Sequence, residues 1–162
     1  MIRHASSQDA ANIAAIYNHF IRNTVITFEE IEVEAPLMSQ RMTAVANNNL
    51  PWLVYEDKGE ILGYAYACPW KERSAYRHSV EVTVYLHPDH HKKGIGYSLY
   101  QQLLASLPQG QIHALIAGIT LPNSASIALH EKCGFMKVAH FKEVGFKFDQ
   151  WLDVGYWQKT LS

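Results

Sequence analysis

The sequence predicts a mixed α/β domain with a sheet covered by helices. Three observations predict it. Short runs of alternating apolar residues mark strands, and longer segments with apolar residues three and four apart mark helices. The two kinds interleave in the order β-α-α-β-β-β-α-β-α-β-β, with no internal repeat, low-complexity segment or linker between them. The 162 residues, 48% of them apolar, suit one core, so residues 1–162 are read as a single domain.

Residues 2–5 read as a short first strand, and Ser6 and Asp9 as helix-start residues. Ile13, Ile16, Tyr17, Phe20 and Ile21 then fall on one helical face. Residues 23–33, rich in Thr, Phe and Glu, read as a loop. A second helix follows Pro36 through Leu37, Met38 and Met42 and stops at Asn47-Asn48-Asn49. Residues 52–56 and 61–67 read as strands joined by the hairpin signal Asp57-Lys58-Gly59. Residues 68–78 are polar, aromatic and basic, and read as a loop. Residues 79–86 form a strand with Val80, Val82, Val84 and Leu86 on one face, ended by Pro88. Residues 94–107 are a helix with Ile95, Leu99, Leu103, Leu104 and Leu107 along one stripe. Residues 112–119 are the next strand, and residues 123–132 a helix that ends at Gly134. Residues 135–141 and 151–160 close the chain as two strands.

A net charge of -1 provides no bulk field to draw the chain to nucleic acid or anionic membrane. No apolar run is long enough to span a bilayer. The first residues, Met1-Ile2-Arg3-His4-Ala5-Ser6, lack the apolar core of a signal peptide. Cys68 and Cys133 make no disulfide framework. A cytoplasmic, reduced protein is the expectation. His87, His90 and His91 match no common zinc spacing, and no metal is expected.

The segment His91-Lys92-Lys93-Gly94-Ile95-Gly96 joins the 79–86 strand to the following helix. A helix N-terminus presents unpaired N–H groups and partial positive charge, which suit phosphate. Gly94 and Gly96 remove side chains that would hold a pyrophosphate away, and Lys92 and Lys93 add charge. The glycine spacing is neither that of a Walker A loop nor that of a Rossmann fingerprint. On these residues alone, a glycine turn with solvated lysines remains the alternative.

The segment resembles the Q/R-x-x-G-x-G/A pyrophosphate motif of the GNAT family of N-acetyltransferases, with His91 at its first position. Residues 123–135, NSASIALHEKCGF, resemble the family's N-x-x-A/S-x-x-L-Y-x-x-x-G-F helix, with His130 where tyrosine is commonest. Ala15-Ile16-Tyr17-Asn18, the 79–86 strand and residues 144–153, VGFKFDQWLD, resemble the phosphinothricin and methionine-sulfoximine acetyltransferase branch. The resemblance spans nearly the whole chain. It implies a mixed sheet splayed open at its centre, flanked by about four helices, with acetyl-CoA wedged into the opening. It also implies a homodimer.

Acetyl transfer to an amine needs a neutral nitrogen, so a base must take a proton. By strand alternation Glu81 points with Ser79 and Thr83, away from Val80, Val82 and Val84. It matches the base proposed for the resembled branch; a solvated strand carboxylate is the alternative. The family's oxyanion donor is a backbone N–H freed by a bulge in this strand, at Val84, Tyr85 or Leu86 here. His130 is the candidate proton donor to the leaving thiolate, as an imidazolium, with a packed helix histidine as the alternative. Asn123 is expected to bond the pantetheine arm while capping its helix. Ile95, Tyr97 and Lys132 complete the implied cofactor set. Neither cysteine has an adjacent base, which favours direct transfer in a ternary complex over a cysteine-linked intermediate.

Lys71, Tyr76 and Arg77 lie in a cationic, aromatic loop before Glu81 and suit a small acceptor with an anionic group. Tyr76 and Arg77 are favoured, as nearest Glu81 and matching the resembled branch, and solvated surface charge is the alternative for Lys71. Phe28 and Glu29 lie in the early loop that borders the acceptor in the resembled branch, Glu29 as a holder of ammonium or merely as a solvated carboxylate. The expected acceptor is a small amino-acid-like amine such as phosphinothricin, methionine sulfoximine or methionine sulfone. The competing readings are a GNAT enzyme for a polyamine, an aminoglycoside or a protein N-terminus, and a non-enzymatic acetyl-CoA-binding module.

Overall fold

A computed structural model describes residues 1–90 and 94–162 of the chain. Its elements are β1 (Ile2–His4), α1 (Ala10–Asn23), α2 (Ala35–Asn47), β2 (Trp52–Asp57), β3 (Glu60–Pro69), β4 (Ser79–Leu86), α3 (Ile95–Ser106), β5 (Ala114–Thr120), α4 (Ser124–Lys132), β6 (Met136–Lys147) and β7 (Gln150–Thr160). The strands form one seven-stranded sheet in the order β1-β2-β3-β4-β5-β7-β6. Neighbours are antiparallel except β4 and β5, which run parallel. This is the expected mixed sheet with four α-helices among the described residues.

Local chemistry sets the element ends. The Ser6 N–H donates to Asp9 Oδ2 at 2.8 Å, and Arg3 reaches both Asp9 and Glu56, which ties β1 and β2 to the entry of α1. Pro36 sits in the first turn of α2, where a missing N–H costs nothing. Lys58 and Gly59 both adopt positive φ and close the β2–β3 hairpin. The two faces of the sheet bury different elements. Tyr17 and Phe20 of α1 pack on Tyr85 on the face that carries Glu81. Leu99 of α3 approaches Gly63 and Leu86 on the other face.

The ladder between β4 and β5 is short. It pairs Ser79 with Ala114, Val80 with Leu115 and Glu81 with Ile116, and then ends. Beyond Glu81, β4 stays with β3 as far as Leu86, while β5 follows β7 as far as Thr120. The sheet therefore opens between its central strands from Glu81 onward.

The hairpin of β6 and β7 departs from the sequence reading, which ended one strand at residue 141 and began the next at residue 151. Here β6 continues to Lys147, and the turn is made by Phe148 and Asp149 at φ 52° and 57°. A register shift between Phe141 and Gly145, with Glu143 at φ 53°, interrupts the pairing. Neither the bulge nor the turn uses glycine at its left-handed positions, so the usual hairpin signal is missing. At β5 the observed start is Ala114 rather than residue 112.

Candidate active site

The opening between β4 and β5 forms a cavity of about 130 Å³. It passes through the sheet. Glu81, Thr83 and Tyr85 line it from one face, and Tyr100, Asn123, Ser126 and His130 from α3 and α4 line it from the other. Residues 118–120 of β5 and Ile26 of the α1–α2 loop complete the wall. Glu81, Val84, Tyr85, Asn123 and His130, all singled out from sequence, thus meet at one place.

Glu81 is half-buried, and its desolvation raises its carboxyl above the ordinary glutamate range. Lys71 opposes this through its positive charge. Lys71 is therefore the loop cation whose field acts on Glu81. Arg77, nearer in sequence, donates to the Ser74 carbonyl at 3.1 Å and lines a surface groove with Lys71, Ser79 and Val80. Tyr76 is exposed and shares a shallow groove with Lys71. Directly across the ladder from Glu81 stands Cys68, whose thiol is pushed up to about 11 by burial and by the Glu81 charge. Burial also raises the Cys133 thiol. Both cysteines are therefore protonated, poor nucleophiles near neutral pH.

The β4 backbone supplies donors. His87 donates to the Leu62 carbonyl and Trp70 to that of Ser79, so odd-numbered residues of β4 direct their backbone groups to β3. Even-numbered residues face the β5 side, which has no ladder beyond Glu81. The Val82 N–H still pairs with Ile116, so the N–H groups of Val84 and Leu86 are the ones without a β5 partner, and Val84 lines the cleft. The bulge expected from family resemblance is absent: the β3–β4 register is unbroken from Gly63 to Pro69. Divergence of the strands frees the donors instead. Of the three expected residues, Tyr85 turns its backbone to β3 and only its side chain to the cleft.

His130 is 4% exposed, and both its ring nitrogens are engaged. Nδ1 lies 2.7 Å from the Ser126 carbonyl, which can only accept, so Nδ1 carries the proton. Nε2, 2.8 Å from the Tyr100 hydroxyl, then accepts from it. Burial holds the imidazole below its usual value, so it is neutral near pH 7. The geometry fits the packed-histidine alternative better than the imidazolium expected from sequence, and it brings the buried Tyr100 hydroxyl to the cleft wall. Sequence reasoning passed over Tyr100 because its position on α3 reads as an ordinary core site.

Asn123 caps α4, its Oδ1 accepting from the Ser126 N–H at 3.1 Å. Gly94 caps α3 at φ 71°, a left-handed position where a Cβ would meet no neighbour, so conformation alone demands glycine. At Gly96 a Cβ would come within 3.1 Å of Leu129, so this glycine lets α3 approach α4. Ile95 is buried in the core, and Lys132 lies over the Tyr97 ring at 4.3 Å. His91, Lys92 and Lys93 lie outside the described residues. A splayed strand pair with free N–H groups, leading to a glycine-capped helix, has the donors for a thioester carbonyl and a pyrophosphate.

The outer end of the Phe28 ring packs against Gly145 of β6, where any Cβ would overlap it. Glu29 is not free to hold an ammonium. Arg41 binds it with two hydrogen bonds of 2.9 and 2.6 Å, and the Tyr17 hydroxyl donates to it as well. Arg41 above all holds its carboxyl below the usual range. No cluster of metal-ligating side chains occurs among the described residues, and no helix among them is long and apolar enough to cross a membrane.

The acetyltransferase (GNAT) domain family matches residues 2–155. A phosphinothricin N-acetyltransferase of Alcaligenes faecalis is 39% identical over 162 residues, covering 99% of this chain and 82% of that protein. An L-methionine sulfoximine/L-methionine sulfone acetyltransferase of Salmonella typhimurium is 36% identical over 161 residues, covering 99% of this chain and 94% of that protein. Among solved structures, a phosphinothricin acetyltransferase of Sinorhizobium meliloti in complex with acetyl-CoA superposes with a TM-score of 0.95 at 35% identity, covering 100% of this chain and 88% of that one. The open strand pair, the glycine-capped helix beside it and these full-length similarities together place the chain in the GNAT family of acetyltransferases.

Proposed function

We propose that the chain is an acetyl-CoA-dependent N-acetyltransferase for a small amino-acid-like acceptor of the phosphinothricin, methionine sulfoximine or methionine sulfone type. The observation that carries this is the through-sheet cleft: acetyl-CoA enters from the α3–α4 face and the acceptor meets it from the face of Glu81. The ionised Glu81 takes the proton from the amine, directly or through water. The N–H group released by β4 at Val84 stabilises the oxyanion. Coenzyme A leaves as a thiolate that takes its proton from solvent, since the one proton of the Tyr100 hydroxyl at the cleft wall is engaged by His130 Nε2. The pyrophosphate lies over the segment from His91 to Gly96, with Lys92 and Lys93 as its charges. Lys71, beside Glu81, is the cation for an acceptor's anionic group, with Tyr76 and Arg77 at the outer rim.

Transfer is direct, in a ternary complex, because both thiols are protonated. Residues 1–162 act as one domain in the cytoplasm. The protein works as a homodimer. Its β6–β7 hairpin is an edge of the sheet and exposes Val144, Phe146, Phe148 and Trp151, an apolar surface that suits a second copy. The test is thiol release from acetyl-CoA with a panel of amines. Methionine sulfone, methionine sulfoximine and phosphinothricin should be turned over at least about tenfold more efficiently than spermidine or a peptide N-terminus. Tight acetyl-CoA binding with no turnover of any amine would leave a binding module instead.

A further inference from the structure

The Lys147 side chain belongs to β6, far in sequence from any residue of the cleft, yet it is only 1% exposed. Its Nζ donates to the Thr27 carbonyl at 2.8 Å. Burial of an ammonium is costly, and one carbonyl bond, the Phe148 ring 5.1 Å from Nζ and the charges of Glu30 and Glu29 offset it only in part. An apolar side chain would fill the same space more cheaply, so stability does not account for a lysine here. Its contact does account for it. Thr27 lies in the loop of residues 24–34 between α1 and α2, and that loop is held residue by residue. The Thr120 hydroxyl of β5 donates to the Ile26 carbonyl at 3.4 Å. The Thr27 hydroxyl pairs with Tyr17 of α1 at 2.8 Å. Phe28 lies on Gly145 of β6, two residues before Lys147. Glu29 is gripped by Arg41 of α2. Ile26 lines the cleft itself.

We infer that the β6–β7 hairpin clasps the acceptor loop, with Lys147 as the positioning residue and Gly145 as the seat for Phe28, so that the hairpin sets acceptor affinity without touching acetyl-CoA. Residues 24–34 reach from α1 to α2 across the Glu81 face, and by themselves they have many conformations. The Lys147 bond fixes the backbone between Ile26 and Phe28, and the ring on Gly145 fixes the direction of Phe28. Both contacts come from one strand, so a shift of that strand moves both loop residues together. The inference rests on the reading of this loop as the acceptor side.

Three variants test it in the full-length protein, with methionine sulfone as acceptor. Lys147→Met keeps length and packing and removes the donor. Lys147→Arg keeps a donor. Gly145→Ala attacks the clasp from the Phe28 side. In Lys147→Met and Gly145→Ala the acceptor KM should rise about tenfold, the loss of one charge-assisted hydrogen bond or its equivalent. The calorimetric Kd for acetyl-CoA should stay within about twofold. Lys147→Arg should recover most of the acceptor KM, and the Tm of Lys147→Met should equal or exceed that of the wild type. Acceptor KM and acetyl-CoA Kd rising together, or an unchanged acceptor KM in folded Gly145→Ala, would overturn the clasp. Loss of folding in all three would also overturn it, since a contact confined to one loop does not carry the fold. A wild-type protein that acetylates no amine removes the functional reading itself, a different failure.

Discussion

Glu81 and His130 show how environment assigns work to side chains of similar chemistry. Burial raises Glu81 while Lys71 restrains the rise, leaving a carboxylate more basic than a solvated one. Burial lowers His130, and its two hydrogen bonds fix a single neutral tautomer. The Tyr100 hydroxyl is the hinge of that arrangement. Tyr100→Phe would leave Nε2 of His130 as a buried acceptor without a donor, at a cost of about 1–3 kcal/mol. Urea unfolding should show that loss. Unchanged stability would mean that the bond to His130 is not made in solution. Glu81 was legible in the sequence because a lone carboxylate in a run of valines is conspicuous. Tyr100 was not, since an aromatic residue on the buried side of a helix carries no mark of its hydroxyl's partner. The partner of Glu29 was hidden for a related reason: Arg41, which engages it, is twelve residues away in α2.

Elements were legible in proportion to their periodicity and their turn chemistry. β4 has the expected bounds because four alternating apolar residues and a following proline define it. The β2–β3 hairpin was announced by Lys58-Gly59. The β6–β7 turn, built on Phe148 and Asp149, was invisible, and with it went the clasp on the acceptor loop. The splay is a property of two strands and appears in neither alone: β4 and β5 simply stop pairing after Glu81. At the helix that follows, Gly94 holds φ 71° with open space around its Cα. Gly94→Ala should therefore cost only backbone strain, about 1 kcal/mol. The expected result is a Tm lower by several degrees, about 3 °C for a domain of this size, with a weakened acetyl-CoA Kd. A wild-type Kd in this variant would detach the α3 N-terminus from the pyrophosphate.

At the scale of the molecule, the cleft joins two half-sites on opposite faces of one sheet, and the hairpin edge connects the acceptor side to the surface proposed for a second copy. Phe146 and Trp151 meet there with ring centroids 4.7 Å apart and planes tilted by 52°, each more than half exposed. Charge at both positions, Phe146→Asp with Trp151→Glu, should convert a dimer to a monomer by light scattering. A wild-type protein already monomeric at micromolar concentration would contradict the proposed assembly. The central claim is that Glu81 is the base at the opening of the sheet. Its most direct test is the pH dependence of kcat/KM for the acceptor in wild type and Glu81→Gln, together with calorimetric binding of acetyl-CoA. A base works ionised, so the wild-type rate should climb as pH rises through the raised Glu81 value. In Glu81→Gln that limb should vanish and the rate fall by about 100-fold or more, with acetyl-CoA bound as tightly as before. A Glu81→Gln enzyme that keeps both the wild-type rate and the wild-type acid limb would contradict the account.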